Sequence, residues 1–213
     1  MKSLLFGTAG IPWSVKAANT IEGIREVRRL DLGAMELEFV RSVNIREDKT
    51  SEVKETAKKE NIVLTTHGPY YINLNAKDKA ILEASRKRVY LASRIAALCG
   101  AWSICFHAAY YMKEPKDKVF GQVKRELEVV VRQLRNESLE IWIRPELGGK
   151  MSQFGSLEEI VKISAELEGV MPCIDFAHQH ARFQGKYNTY QDFSGSLEHV
   201  EKHLGREGLE NMH

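Results

Sequence analysis

The sequence predicts an α/β fold built on a parallel sheet, and two observations carry that reading. Short runs of β-forming residues alternate with segments of helical period, spaced roughly 30 to 40 residues apart, which is the pattern of βα units. Several of those runs end in histidine, glutamate or aspartate. In a (β/α)8 barrel, that placement brings residues far apart in sequence onto one face.

The elements follow in order. Leu4 to Phe6 is a first short run, and Asn19 to Leu30 is helical, with Ile21, Ile24, Val27 and Leu30 on one face and a stop near Gly33. Ala34 to Val40 and Asn61 to His67 form the second and third runs. Ile81, Ala84, Arg88, Leu91, Ile95 and Leu98 recur at helical steps and are expected to share a face, with Gly100 as the stop. Trp102 to His107 is the fourth run, and Phe120, Val123, Leu127, Val130 and Leu134 line the next helix. Glu140 to Glu146 is the fifth run. Ser156-Leu157-Glu158-Glu159 then reads as a capping box, opening a helix that buries Leu157, Ile160, Val161, Ser164 and Leu167. Val170 to Phe176 and a weaker run, Leu209 to His213, bring the expected strands to seven. No Ser/Gly/Pro-rich linker interrupts the chain, so residues 1–213 read as one domain. Periodicity alone leaves an open doubly wound sheet and a closed barrel both standing. The lack of G-x-G-x-x-G and G-x-x-x-x-G-K-[ST] weakens the nucleotide-binding forms of the open sheet.

Composition excludes other classes. The 213 residues are 43% hydrophobic and 28% charged, with 31 basic against 29 acidic side chains, 5 Pro and 15 Gly. That is an ordinary globular chain, neither disordered nor fibrous. A net charge of +2 argues against a uniformly basic surface but leaves room for a local basic groove. No apolar stretch approaches the ~18 residues of a membrane span, and the N-terminal apolar run stops at Gly7-Thr8, too early for a signal peptide. Cys99, Cys105 and Cys173 are odd in number, lie in apolar segments and form no C-x-x-C. They are expected to be reduced, buried core thiols in a cytoplasmic protein.

The chemistry sits at the ends of the runs. His67, His107, Glu146, Asp175, His178 and His213 are nitrogen and oxygen donors of the kind that bind Zn2+, Mn2+ or Fe. Taken singly, each is readily a hydrogen-bonded or capping residue. Independent structural residues have no reason to share one place in successive βα units, so the set is expected to be a metal site. Glu36 and Glu38 are expected on a solvated face or in a salt bridge, and His199 and His203 on an exposed surface near a helix C-terminus. His180 is open between a substrate contact and a spare polar residue. Arg144 either contacts phosphate or points outward by strand alternation.

Four ordered motifs carry a resemblance. They are His67-Gly68-Pro69-Tyr70-Tyr71-Ile72-Asn73-Leu74; the strand ending at His107; Pro145-Glu146-Leu147-Gly148-Gly149-Lys150 with Ser152-Gln153-Phe154-Gly155; and Cys173-Ile174-Asp175-Phe176-Ala177-His178. From about His67 onward the chain resembles the endonuclease IV family of apurinic/apyrimidinic endonucleases, among the xylose-isomerase-like TIM barrels. The resemblance implies such a (β/α)8 barrel and up to three Zn2+ ions in a complete member. His67 and His107 match ligands of the first metal, and Glu146 the carboxylate bridging first and second. Asp175 and His213 match ligands of the second, and His178 a ligand of the third. Tyr70 and Tyr71 match the loop that inserts into the DNA minor groove, with Arg41 as a partner. The implied partner is double-stranded DNA with abasic sites; no obligate protein partner is evident.

The same resemblance places a further Asp-x-His pair and a last Glu downstream of His213. A (β/α)8 barrel usually needs about 250 residues, so the expectation is a C-terminally incomplete barrel with about seven of eight βα units. The expected activity is hydrolysis of the phosphodiester 5′ to an abasic site. The alternatives are a sugar isomerase or epimerase on the same barrel, or a non-catalytic DNA- or metal-binding remnant.

Overall fold

The computed structural model describes residues 4–17 and 19–213. Five parallel strands lie side by side in chain order: β1 (Gly7–Ala9), β2 (Ala34–Glu38), β3 (Val63–His67), β4 (Ser103–Phe106) and β5 (Trp142–Pro145). Helices α1 (Thr20–Arg29), α2 (Thr50–Glu60), α3 (Lys79–Leu98) and α4 (Lys116–Asn136) connect them. α5 (Leu157–Glu166), α6 (Phe176–Arg182) and α7 (Tyr190–Glu210) complete the order. Parallel neighbours joined by helices make the barrel topology. The sheet is curled, because β2 and β4, with β3 between them, still meet: Cys105 Sγ lies 3.5 Å from Glu36 Oε2.

The helices begin where local chemistry satisfies their free N–H groups. The Asn19 side chain accepts from the Glu22 N–H, and Asp78 accepts from Ala80 and Ile81. The expected box at Ser156 and Glu159 forms, and a second joins Thr189 to Asp192. α7 is broken at Gly205 (φ 67°), just past His199 and His203, which stack with ring centroids 4.3 Å apart.

Strand alternation sorts the sheet into two faces. Met35, Leu37, Leu64, Ile104, Phe106 and Ile143 point outward and join Ile24, Val27, Val89, Val123, Leu127 and Val130 of the helices in the main core. A smaller cluster gathers Leu147, Ile160, Val161, Ile174 and Val200 beneath α5 and α7. No helix among the described residues is long and apolar enough to cross a membrane.

The structure corrects several expectations. Leu4 to Phe6 is not a strand; the first strand begins at Gly7, and Leu4 and Phe6 are exposed. Val170 to Phe176 contributes only two parallel bridges, Ile143 to Val170 and Glu146 to Cys173, because Asp175 ends the run by capping α6. Leu209 and Glu210 are helical, and only the last residues run beside the sheet, where the Ile174 N–H donates to His213 O at 2.9 Å. Among the described residues, five strands therefore stand where seven were expected. On α3 the buried face is Ser85, Val89, Ala92, Ser93, Ile95 and Ala96, while Ile81 and Leu91 are exposed. Small residues let that helix sit close to the sheet, which outweighs the hydrophobicity of its larger side chains.

Candidate metal centre

Inward positions of β3, β4 and β5 rise in register toward the strand C-termini, with His67 level with Cys105 and Cys105 level with Arg144. One residue past β4 and β5, His107 and Glu146 reach the barrel mouth. The ladder continues to carry them, since the Glu146 N–H donates to Phe106 O at 3.0 Å.

Three imidazoles converge on Glu146, which is buried. His67 Nε2 and His107 Nδ1 each lie 3.5 Å from Glu146 Oε2, and His178 Nδ1 lies 3.2 Å from Oε1. Asp175 joins through His178: its Oδ1 accepts from the His178 N–H at 2.7 Å, and its Oδ2 lies 3.3 Å from Nδ1. The second ring contacts fix which nitrogens can act as donors to a ligand. His67 Nδ1 pairs with Gly68 O at 2.8 Å, so Nε2 is the nitrogen turned toward Glu146. His178 Nδ1 faces Leu147 O at 3.1 Å, which leaves its Nε2 free.

The electrostatics follow from this packing. Burial opposes the charge of Glu146, but His178 and His67 beside it hold its carboxyl down at about 2. Burial likewise opposes protonation of His67, and Glu146 overrides it to raise the imidazole to about 9. His178 is raised by its pairing with Glu146. Burial lowers His107.

The donor set fits a divalent cation. Glu146 Oε2 and His107 Nδ1 are buried and accept no hydrogen bond, an arrangement that is costly unless a further group engages them. One donor atom from each of His107, Glu146 and His178 falls within 4.8 Å of the others, and His67 reaches the same carboxylate. The 3.5 Å separations of His67 Nε2 and His107 Nδ1 from Glu146 Oε2 match the edges of a coordination shell with ligands at about 2.0–2.2 Å.

Two glycines make room. Gly155 (φ 111°) sits so close to the Glu146 backbone that a Cβ there would meet Glu146 O at 2.6 Å. A Cβ on Gly149 would stand 3.0 Å from His178 Cδ2.

Other residues hold the surrounding loops. Buried Arg182 donates to the carbonyls of Gly148, Lys150 and Gln153 at 3.0, 2.7 and 3.1 Å, clamping the loop that carries Glu146. Asn73 Oδ1 accepts from the N–H groups of Asn75 and Tyr110, which ties the third βα loop to the fourth. Sequence reasoning missed both roles. The Asn73 role had a signal in its motif, whereas Arg182 lies in α6 with nothing nearby to mark it.

The rim carries Tyr70 and Tyr71, 59% and 67% exposed, with the Tyr70 ring centroid 5.6 Å from that of His67. Arg41 is exposed on the neighbouring loop, which the Tyr70 N–H grips through Val40 O at 3.0 Å. Trp13, Tyr110, Met112 and Met151, on other βα loops, are also exposed. Only their shared position after strands could have suggested them.

His213 does not join the centre. It lies a layer deeper, with Nε2 3.4 Å from Glu36 Oε2 and Nδ1 3.3 Å from Ser103 Oγ. Glu36 is therefore inside the barrel rather than on a solvated face, and burial pushes its carboxyl up to about 7. Arg144 is fully buried and touches neither solvent nor the mouth. His180 pairs with Lys186 O at 3.0 Å. All three cysteines are buried and free, as expected.

Residues 24–213 match the family described as xylose isomerase-like TIM barrel. An uncharacterized protein of Methanocaldococcus jannaschii is 39% identical over 210 residues, 99% of this chain and 75% of that protein. Endonuclease IV from Thermus thermophilus superposes with TM-score 0.71 at 18% identity, covering 96% of this chain and 73% of that one. D-psicose 3-epimerase from Clostridium cellulolyticum gives 0.68 at 13%, covering 94% and 71%. 3-Keto-D-glucoside 4-epimerase from E. coli gives 0.65 at 16%, covering 89% and 74%.

Proposed function

The chain belongs to the family of xylose isomerase-like TIM barrels, and on that premise we propose that it is a metal-dependent phosphodiesterase cutting DNA 5′ to abasic sites. The observation that carries this reading is the convergence of three imidazoles on one buried carboxylate. Neutral imidazoles bind a cation without cancelling its charge, so such a centre keeps a positive field for an anionic phosphodiester. A carboxylate-rich centre suits a neutral sugar better.

His67, His107, Glu146 and His178 would hold the metal, Zn2+ by donor type with Mn2+ or Fe also compatible, and Asp175 would assist. When bound, such ions neutralise phosphate charge and lower the pKa of water. The protein's own residues do the rest. Glu146 presents one oxygen to His67 and His107 and the other to His178, which fixes the spacing of the imidazoles. Gly68 O and Leu147 O orient two of the rings. Tyr70 and Tyr71 offer exposed aromatic faces at the rim, where an abasic gap leaves a duplex easy to deform. Arg41 supplies a cation on the adjoining loop.

A second reading, a ketose epimerase, is favoured by one observation: the epimerase structures superpose nearly as well as the endonuclease. A duplex with one abasic site and a panel of ketoses, each with and without chelator, separate the two. The proposal expects metal-dependent incision on the 5′ side and no sugar turnover. Epimerised ketose without incision would replace it by the second reading, and neither activity would overturn both.

A further inference from the structure

Barrel interiors are normally packed with branched apolar side chains. Below Glu146 this one is lined instead by Glu36, Thr65, Ser103, Cys105, Arg144, Cys173 and His213. We propose that this interior holds a second divalent-cation site, thiolate-bearing and distinct from the mouth centre, built from Cys105, Cys173, His213 and Glu36.

Geometry is the first support. One donor atom from each of Cys105, Cys173 and His213 lies within 4.8 Å of the others. Glu36 Oε2 completes the set at 3.4 Å from His213 Nε2 and 3.5 Å from Cys105 Sγ. Nitrogen and oxygen ligands at about 2.0–2.2 Å and sulfur at about 2.3 Å on a tetrahedral ion stand about 3.3–3.8 Å apart, so the two separations from Glu36 Oε2 are those of ligands sharing one ion. His213 is also oriented for the role. Its Nδ1 pairs with Ser103 Oγ, which leaves Nε2 to face Glu36, the outer-shell support usual for a ligating imidazole.

Charge is the second, independent support. Arg144 is wholly buried, yet its hydrogen bonds all go to neutral acceptors: Pro172 O, Asn211 O and Asn211 Oδ1, at 3.0, 2.7 and 2.7 Å. Its guanidinium lies over the Trp102 ring, 4.5 Å from the centroid, and its Nε has no hydrogen-bond partner. Among the described residues it forms no ion pair. A buried cation without an anion is costly. Cys173, Cys105 and His213 are the titratable groups that bear on it. Two thiolates and the Glu36 carboxylate would be balanced by one divalent cation plus Arg144, which makes the whole interior neutral. The donor set, two sulfurs with one nitrogen and one oxygen, selects a thiophilic ion of the zinc class over Mg2+ or Ca2+. Such an ion would staple β2, β4 and the segments at 173 and 213 across the barrel.

Cobalt substitution reads the two centres separately through Cys173, because Cys105 also lies within reach of His67 and Glu146 at the mouth whereas Cys173 belongs to the interior set alone. The cobalt-loaded chain is expected to show an intense near-ultraviolet thiolate band. That band should fall by at least half in Cys173→Ser and vanish when Cys105→Ser is added, with the weaker visible bands of the histidine centre remaining. Zinc-edge X-ray absorption on the unmodified, zinc-loaded protein should show sulfur scattering at about 2.3 Å and needs no variant to fold. Absence of both the thiolate band and the sulfur shell would overturn the proposal, as would a band unchanged in Cys173→Ser. Either outcome leaves the reading of the mouth centre standing.

Discussion

Removing the charge of Glu146 leaves three imidazoles with no anion between them. Glu146→Gln should therefore reduce phosphodiester hydrolysis by more than about a hundredfold, a loss that even outer-shell partners of metals can cause. Steady-state incision of an abasic duplex measures it. The titration of His67 has a consequence of its own. Its imidazole is raised to about 9 in the metal-free chain, so at neutral pH it carries a proton that a metal must expel. Glu146, held at about 2, is already ionised there. Apparent Zn2+ affinity should thus climb with pH, by about tenfold per unit for each proton displaced, and level off above about 9. Calorimetry in buffers of different ionisation enthalpy counts the protons, and an affinity flat between pH 6 and 9 would contradict the pairing of His67 with Glu146. At this scale the sequence was informative for His67, His107, Glu146 and His178, because each stands at or just past the end of a run. It was silent on Arg182 and on the inward turn of Glu36, since neither is decided by its neighbours in sequence.

Loops and strands decide what the mouth can grip. The βα loops after β2 and β3 are joined through Tyr70 and Val40, which brings Arg41 beside the two exposed tyrosines. Base stacking on an aromatic face contributes about 1–3 kcal/mol. Tyr70→Ala with Tyr71→Ala should weaken binding to an abasic duplex about ten- to a hundredfold, mostly in KM. Fluorescence anisotropy checks this, and unchanged affinity would make the loop a mere rim. The loop after β5 depends on Arg182. Truncation to Leu strips three carbonyls of their donor, which should cost about 3 kcal/mol or more, read as a lower denaturant midpoint. Helices α1, α3, α4 and α5 were legible from period and caps, down to the box at Ser156, whereas α2 and α6 were not read. Strands were less so. Asp175 belongs to a hydrophobic run by composition, yet its carboxylate caps α6 and ends the run. His213 was legible as a residue beside the sheet. Its depth was not, because height inside a barrel depends on the stagger between strands, which no single run records.

For the whole molecule, a parallel sheet with helical connections follows from alternation, whereas the sequential order β1 to β5 with one outer layer of helices belongs to the barrel, to which the residues at the ends of the runs pointed. What alternation could not supply was the polarity of the interior, where inward positions carry Glu36, Cys105 and Arg144 in place of branched apolar side chains. Metal binding would then contribute at two levels, at the mouth and beneath it, and a bound ion stabilises the fold by mass action. The measurement that tests the mouth centre most directly is metal content per chain, by elemental mass spectrometry, in wild type and Glu146→Gln prepared side by side from zinc-supplemented growth. Glu146→Gln should retain at least about one ion fewer per chain than wild type, while keeping the same circular dichroism. Equal metal content in the two proteins, or none in either, would contradict the assignment of Glu146 and its three histidines as a metal centre.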